Sequence, residues 1–167
     1  AGKIAGCDPI IVVETNPARR LLAMELGATY VIDGAEPDWV DKIVELTGGG
    51  AAAALDTAGK QATFEGALAA LHPGGTLGVL TLPGDFSDPI RHPGGLDFLT
   101  KRLVGVIEGD AEPPKLIPRL IAYYAAGQLP IDRMITTFKF SEIAAAFEAA
   151  TEQRVVKAVL TFEEENQ

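Results

Sequence analysis

Pro9-Ile10-Ile11-Val12-Val13-Glu14-Thr15-Asn16-Pro17 is the stretch on which the reading of this chain turns. The run from Pro9 to Val13 is short, apolar and rich in β-branched residues, the composition of a strand covered on both faces of a parallel sheet. It ends on an acid, Glu14. Thr15-Asn16 then offers a helix cap, and Pro17 suits a first helical turn. Leu21, Leu22, Met24 and Leu26 continue as an apolar helical stripe closed by Gly27, and Tyr30-Val31-Ile32-Asp33 reads as a second strand.

The same alternation spreads outward. Trp39, Val40, Ile43, Val44 and Leu46 recur at helical spacing after Pro37-Asp38 and stop at Gly48-Gly49-Gly50. Residues 51–56 then read as a small-residue strand, 61–71 as a helix, and 75–82 as a strand introduced by Pro73-Gly74-Gly75. Strand and helix in strict turn predict an α/β fold with parallel strands and right-handed crossovers. Residues 83–95 read as a Pro/Gly-rich loop, 103–107 as a strand, and 114–126 as a helix ending at Gly127. The last third gives a strand over 135–140, a helix over 141–150 capped by Ser141, a strand over 155–162, and a solvated tail, Glu163-Glu164-Glu165-Asn166-Gln167. At the other end, Ala1-Gly2-Lys3-Ile4-Ala5-Gly6 reads as the tail of a helix without a start signal.

Composition narrows the function classes. With 167 residues, 47% apolar and 22% charged, the chain has the make-up of one soluble domain with a real core. A formal charge of −9 repels phosphate backbones and anionic lipid, so nucleic acid is not an expected partner. No apolar run approaches the roughly 20 residues of a membrane span. The single cysteine, Cys7, excludes an internal disulfide framework and fits a reducing compartment, with the cytoplasm as the default.

Glu14 is the most informative chemical position. In a doubly wound nucleotide fold, an acid at the end of the second strand accepts hydrogen bonds from the adenosine ribose and repels a 2′-phosphate, favouring NAD over NADP. A carboxylate here also suits the positive end of the following helix, and from the residue alone the two readings stand level. The glycine-rich turn expected roughly 20 residues upstream of such an acid is not in the chain. Two more strand ends, Asp56-Thr57-Ala58-Gly59 and Leu80-Thr81-Leu82-Pro83, carry small residues where ligands of open α/β sheets lie, although small residues are ordinary in such turns. His72 and His92 have neither a nucleophile beside them nor metal-motif spacing, and Cys7 reads as a small packing residue.

Taken in order, these segments resemble the cofactor half of zinc-containing medium-chain alcohol dehydrogenases. The likeness rests on Ile10-Ile11-Val12-Val13-Glu14, the run from Ala23 to Asp33, Leu55-Asp56-Thr57-Ala58-Gly59, Pro73-Gly74-Gly75-Thr76-Leu77-Gly78 and Val155-Val156-Lys157-Ala158-Val159-Leu160. Val106-Ile107-Glu108-Gly109-Asp110, followed by Leu116-Ile117-Pro118-Arg119-Leu120-Ile121, is similar to the aryl or benzyl alcohol dehydrogenase branch.

The resemblance implies that Glu14 binds the adenosine ribose with Arg19 beside it, and that Thr57, Ala58 and Gly59 pass near the ribose and adenine. Leu80, Thr81 and Leu82 would lie along the nicotinamide, Ile107 and Glu108 would meet its carboxamide, and Lys157 would face the pyrophosphate. Thr81 departs from relatives that often have glycine there. The family's zinc-ligand cysteines and histidine have no counterpart in this chain, so zinc in the intact enzyme would have its ligands outside it. In that family zinc acts as a Lewis acid on the alcohol oxygen while hydride passes to NAD.

The expectation is therefore a Rossmann-like doubly wound, mostly parallel sheet lacking its first strand and glycine-rich turn. Residues 1–128 would form an incomplete NAD-binding domain and 129–167 a C-terminal piece of the catalytic domain. The chain would be a cofactor-binding fragment of an NAD-dependent dehydrogenase of an aromatic or other alcohol, inactive by itself and forming a homo-oligomer through edge strand 103–107. Loss of the central strand would leave its two neighbours unpaired, to be complemented, swapped or abnormally paired. Rival readings are a non-catalytic nucleotide-binding or assembly module and a zinc-independent quinone or enoyl reductase of the same superfamily.

Overall fold

A computed structural model describes residues 1–81 and 100–162 of the chain. Leu82, the loop reading at 83–95 with His92, and the tail from Glu163 lie outside the described residues. Two compact units emerge, one made of Gly6–Glu112 with Gly2, the other of Pro113–Gln167 with Ala1 and Lys3–Ala5.

In the first unit, β1 (Ile11–Glu14) runs parallel to β2 (Tyr30–Asp33) in a register that sets Glu14 beside Asp33. Helix α1 (Pro17–Glu25) forms the crossover between them. Its start follows from sequence chemistry: the Asn16 side chain accepts the amides of Ala18 and Arg19 at 2.9 and 3.3 Å, and Pro17 stands where a missing N–H costs nothing. Helix α2 (Trp39–Thr47) ends on Gly48, whose φ of 69° supplies the left-handed closure.

β3 (Ala51–Asp56), α3 (Gln61–Ala69), β4 (Leu71–Val79) and β5 (Arg102–Gly105) build a second parallel sheet in the order β3-β4-β5. Phe64 and Leu68 of α3 bury against Leu71, Leu77 and Val79 of β4, and Ile32, Ile43 and Ala70 form a second buried cluster. The alanines of β3 have a packing reason, because Ala51 and Ala54 border these clusters where larger side chains would push α3 off the sheet. β1 and β3 share no ladder, so the parallel arrangement is interrupted between them, as expected of a doubly wound sheet without its first strand.

The second unit contains α4 (Pro113–Ala125), the parallel pair β6 (Ile135–Lys139) and β7 (Lys157–Thr161), and α5 (Ile143–Thr151). Ala146 and Ala149 of α5 are its buried residues. The rings of Phe140 and Phe162 stack with centroids 4.8 Å apart.

Three local expectations shift. The strand read from residue 75 begins at Leu71, because β4 pairs through Leu71 with Ala51, swings out over Pro73-Gly74, and rejoins β3 at Thr76 opposite Ala53. Ser141 does not cap α5; a short 3-10 turn over Phe140–Glu142 precedes that helix, and Glu142 accepts the Lys139 amide at 2.9 Å. Cys7 is exposed rather than packed, carried outward after Gly6, whose φ is 75°.

Candidate functional site

In parallel sheets the carboxyl ends of the strands gather on one edge, and most of the residues singled out from sequence lie on such edges of the first unit. After β3 the chain is turned by Asp56, which is only 4% exposed. One of its carboxylate oxygens accepts the Ala58 amide at 2.9 Å and the other the Thr63 hydroxyl at 3.4 Å, so a buried charge is satisfied by holding the turn of Thr57 and Ala58. Thr57 and Ala58 themselves are exposed.

The next strand end is tied to this one. Leu80 donates its amide to the Asp56 carbonyl at 3.1 Å, and Val106 donates to the Val79 carbonyl at 2.8 Å. Gly59 has φ +61°, and a Cβ built on it would stand 2.3 Å from Thr81 Cγ2. Gly59 and Thr81 are thus in contact and leave room for a hydrogen only. Leu80 and Ile107 project from this ledge 50% and 82% exposed. Beyond Ile107, Glu108, Gly109 and Asp110 all take positive φ, at 52°, 64° and 51°. Two non-glycine residues in that region store roughly 1–3 kcal/mol each.

Glu14 ends β1. Its Oε1 accepts the Asn16 amide at 2.9 Å, so one oxygen has the turn-capping role weighed against ribose binding, while no bond to Oε2 is seen among the described residues. The neighbouring guanidinium is that of Arg20. Its Nη1 donates to the carbonyls of Glu14 and Thr15 at 2.7 and 2.9 Å, and its Nη2 pairs with Asp33 at 2.9 Å. Sequence reading chose Arg19, the half-buried neighbour whose amide the Asn16 cap holds. Position 20 lies one turn past Asn16 and folds back over the end of β1. Lys157, at the start of β7, is exposed and belongs to the other unit.

Among the described residues no three His, Cys, Asp or Glu side chains come together as a metal site, and no helix is long and apolar enough to cross a membrane.

Residues 1–122 match the family model of the zinc-binding dehydrogenases. The chain belongs to that family. Geraniol dehydrogenase of Castellaniella defragrans is 41% identical over 164 residues, covering 96% of this chain and 43% of its own length. Among solved structures, an alcohol dehydrogenase zinc-binding domain protein from Burkholderia ambifaria superposes with a TM-score of 0.91 at 33% identity, over 98% of this chain and 44% of that one. Benzyl alcohol dehydrogenase from Acinetobacter calcoaceticus gives the same TM-score, 0.91, at 31% identity, over 98% and 45%. The chain therefore spans under half the length of these relatives, and its fold is that of their cofactor-binding part.

Proposed function

We propose that the chain supplies the NAD-binding floor of a cytoplasmic, zinc-dependent alcohol dehydrogenase, and that by itself it does not oxidise alcohol. The observation that carries this is Glu14: a carboxylate at the carboxyl end of β1, with one oxygen fixed by the Asn16 amide and the other open to a ribose hydroxyl. NAD bound there would contribute the hydride acceptor.

The chain's own part is reception and orientation. Glu14 accepts hydroxyl donors and opposes a 2′-phosphate, with Arg19 beside the ribose. Thr57, Ala58 and the side-chain-free Gly59 let the adenosine half approach the backbone. Leu80 and Thr81 line the nicotinamide, and Ile107 and Glu108 offer peptide groups to the carboxamide. A single ledge for the cofactor is supported by the Gly59–Thr81 contact, which ties the ends of β3 and β4 to each other.

An alcohol or aldehyde as substrate is supported by the names of the geraniol and benzyl alcohol relatives, and an aromatic alcohol by the second of these alone. Zinc, where the family name implies it, would be held by residues other than those described. A homo-oligomer through β5 is part of the reading, since β5 ends the order of its sheet and Val104 is 43% exposed.

Calorimetric titration with NAD and with NADP tests the reading. NAD should bind more tightly, and Glu14→Gln should weaken NAD by about tenfold, the worth of one hydrogen bond to a charged acceptor. Tighter binding of NADP, or indifference of NAD affinity to Glu14→Gln, overturns it. Alcohol-dependent NADH formation by the chain alone would overturn the division of labour.

A further inference from the structure

We infer that Arg20 is a positioning residue of the ribose site, a clamp that presents Glu14 by fixing the peptide groups on which its carboxylate depends; this rests on the proposed binding of NAD at Glu14. The sequence does not single Arg20 out. Its guanidinium is nonetheless committed in three directions at once: to the Glu14 carbonyl at 2.7 Å, to the Thr15 carbonyl at 2.9 Å, and to the Asp33 carboxylate at 2.9 Å. Those contacts join the ends of β1 and β2, the two strands whose register already sets Glu14 opposite Asp33.

The consequence for the site follows from the chain of bonds. The two carbonyls belong to the residues that precede the Asn16 amide, and that amide is the donor that holds Glu14 Oε1 at 2.9 Å. Fixing both peptides fixes where the amide points, and with it the direction of the free Oε2. A planar guanidinium can serve two carbonyls and one carboxylate together, which a lysine ammonium on its longer, freer stem does not reproduce. Asp33 has a second part. By pairing Nη2 it holds the positive charge against β2, so that the carboxylate of Glu14 and not the guanidinium of Arg20 faces an incoming ribose. Both side chains are largely covered, 20% and 30% exposed, so the pair is shielded from the screening that weakens surface ion pairs.

A double-mutant cycle on cofactor affinity separates this role from a merely structural one. Arg20→Met keeps most of the side-chain volume and removes the donors; it should weaken NAD about tenfold in the wild-type background and leave affinity nearly unchanged in the Glu14→Gln background. Nicotinamide mononucleotide, which lacks the adenosine ribose, should bind Arg20→Met and wild type alike. Arg20→Lys should restore only part of the loss. Asp33→Asn provides a milder second variant, keeping an oxygen acceptor for Nη2, and should relax the preference for NAD over NADP. Equal penalties for Arg20→Met with and without Glu14, or an equal penalty on the mononucleotide, would overturn the clamp while leaving ribose binding at Glu14 intact. If Glu14→Gln itself leaves NAD affinity unchanged, it is the reading of the site that fails.

Discussion

Replacing Gly59 by alanine tests how closely the ends of β3 and β4 are fitted to each other. Two costs are readable from the geometry. At φ +61° an alanine occupies the left-handed region, at about 1–2 kcal/mol. Its Cβ would also lie 2.3 Å from Thr81 Cγ2 and 3.3 Å from Thr81 Cβ. Rotating the exposed Thr81 side chain relieves the first contact at roughly 0.5–1.5 kcal/mol, but the second is with the root of the side chain and persists. Gly59→Ala should therefore destabilise by about 2–3 kcal/mol. In a Thr81→Gly background the collision is gone and only the backbone term is left, about 1–2 kcal/mol. Urea unfolding of the four proteins, compared at common slope, gives the coupling directly, and about 1 kcal/mol is expected. An identical cost in both backgrounds would show that the strand ends do not meet as described. A neutral Gly59→Ala would refute the backbone argument as well.

Two further outcomes follow from the core and from charge. Phe64, fully buried between α3 and β4, should cost about 3–5 kcal/mol as Phe64→Ala, read as a fall in the urea midpoint; a loss below 1 kcal/mol would mean that α3 does not seat on this sheet. Hydrogen bonds to Glu36 and then Asp38 raise the pKa of Lys42 above its ordinary 10.5. A group raised in the folded state stabilises fully below the unfolded value and loses that contribution as pH rises through the folded one. The melting difference between wild type and Lys42→Met should accordingly be small, constant from neutral pH to about 10, and vanish above; a gap that widens with alkalinity would contradict the pairing.

Much of the fold was legible because its signals are local. Tyr30–Asp33 and Ala51–Asp56 appear as strands with the boundaries their composition suggests, and Asn16 with Pro17 starts α1 as a cap and a first-turn proline must. The misread places are non-local. The start of β4 depends on Leu71 finding Ala51, a pairing across the sheet that no run of residues announces, and Pro73-Gly74 looked like a boundary when it is an excursion inside a ladder. Ser141 carries the right chemistry for a cap, but it lies inside the 3-10 turn Phe140–Glu142, where the Glu142 carboxylate accepts the Lys139 amide, and α5 starts without a side-chain cap bond.

The site divides in the same way. Glu14, Gly59 and Thr81 stand at strand ends, which alternation locates. Arg20 was invisible because its partners are backbone carbonyls and an acid on a neighbouring strand. Asp56 was visible as a strand end, yet its importance comes from burial, which composition does not reveal.

The excursion in β4 has a practical use. Pro73 and Gly74 are exposed, Gly74 has φ +86°, and a Cβ built there meets nothing within 4 Å. They lie before the paired stretch Thr76–Val79, at the opposite end of the sheet from the ledge of Gly59 and Thr81. A fluorophore or short peptide tag spliced in at this point would sit on a tolerant loop tip while remaining rigidly flanked by strand. Such a reporter could follow opening of the central sheet in real time without obstructing the edge where a cofactor would enter.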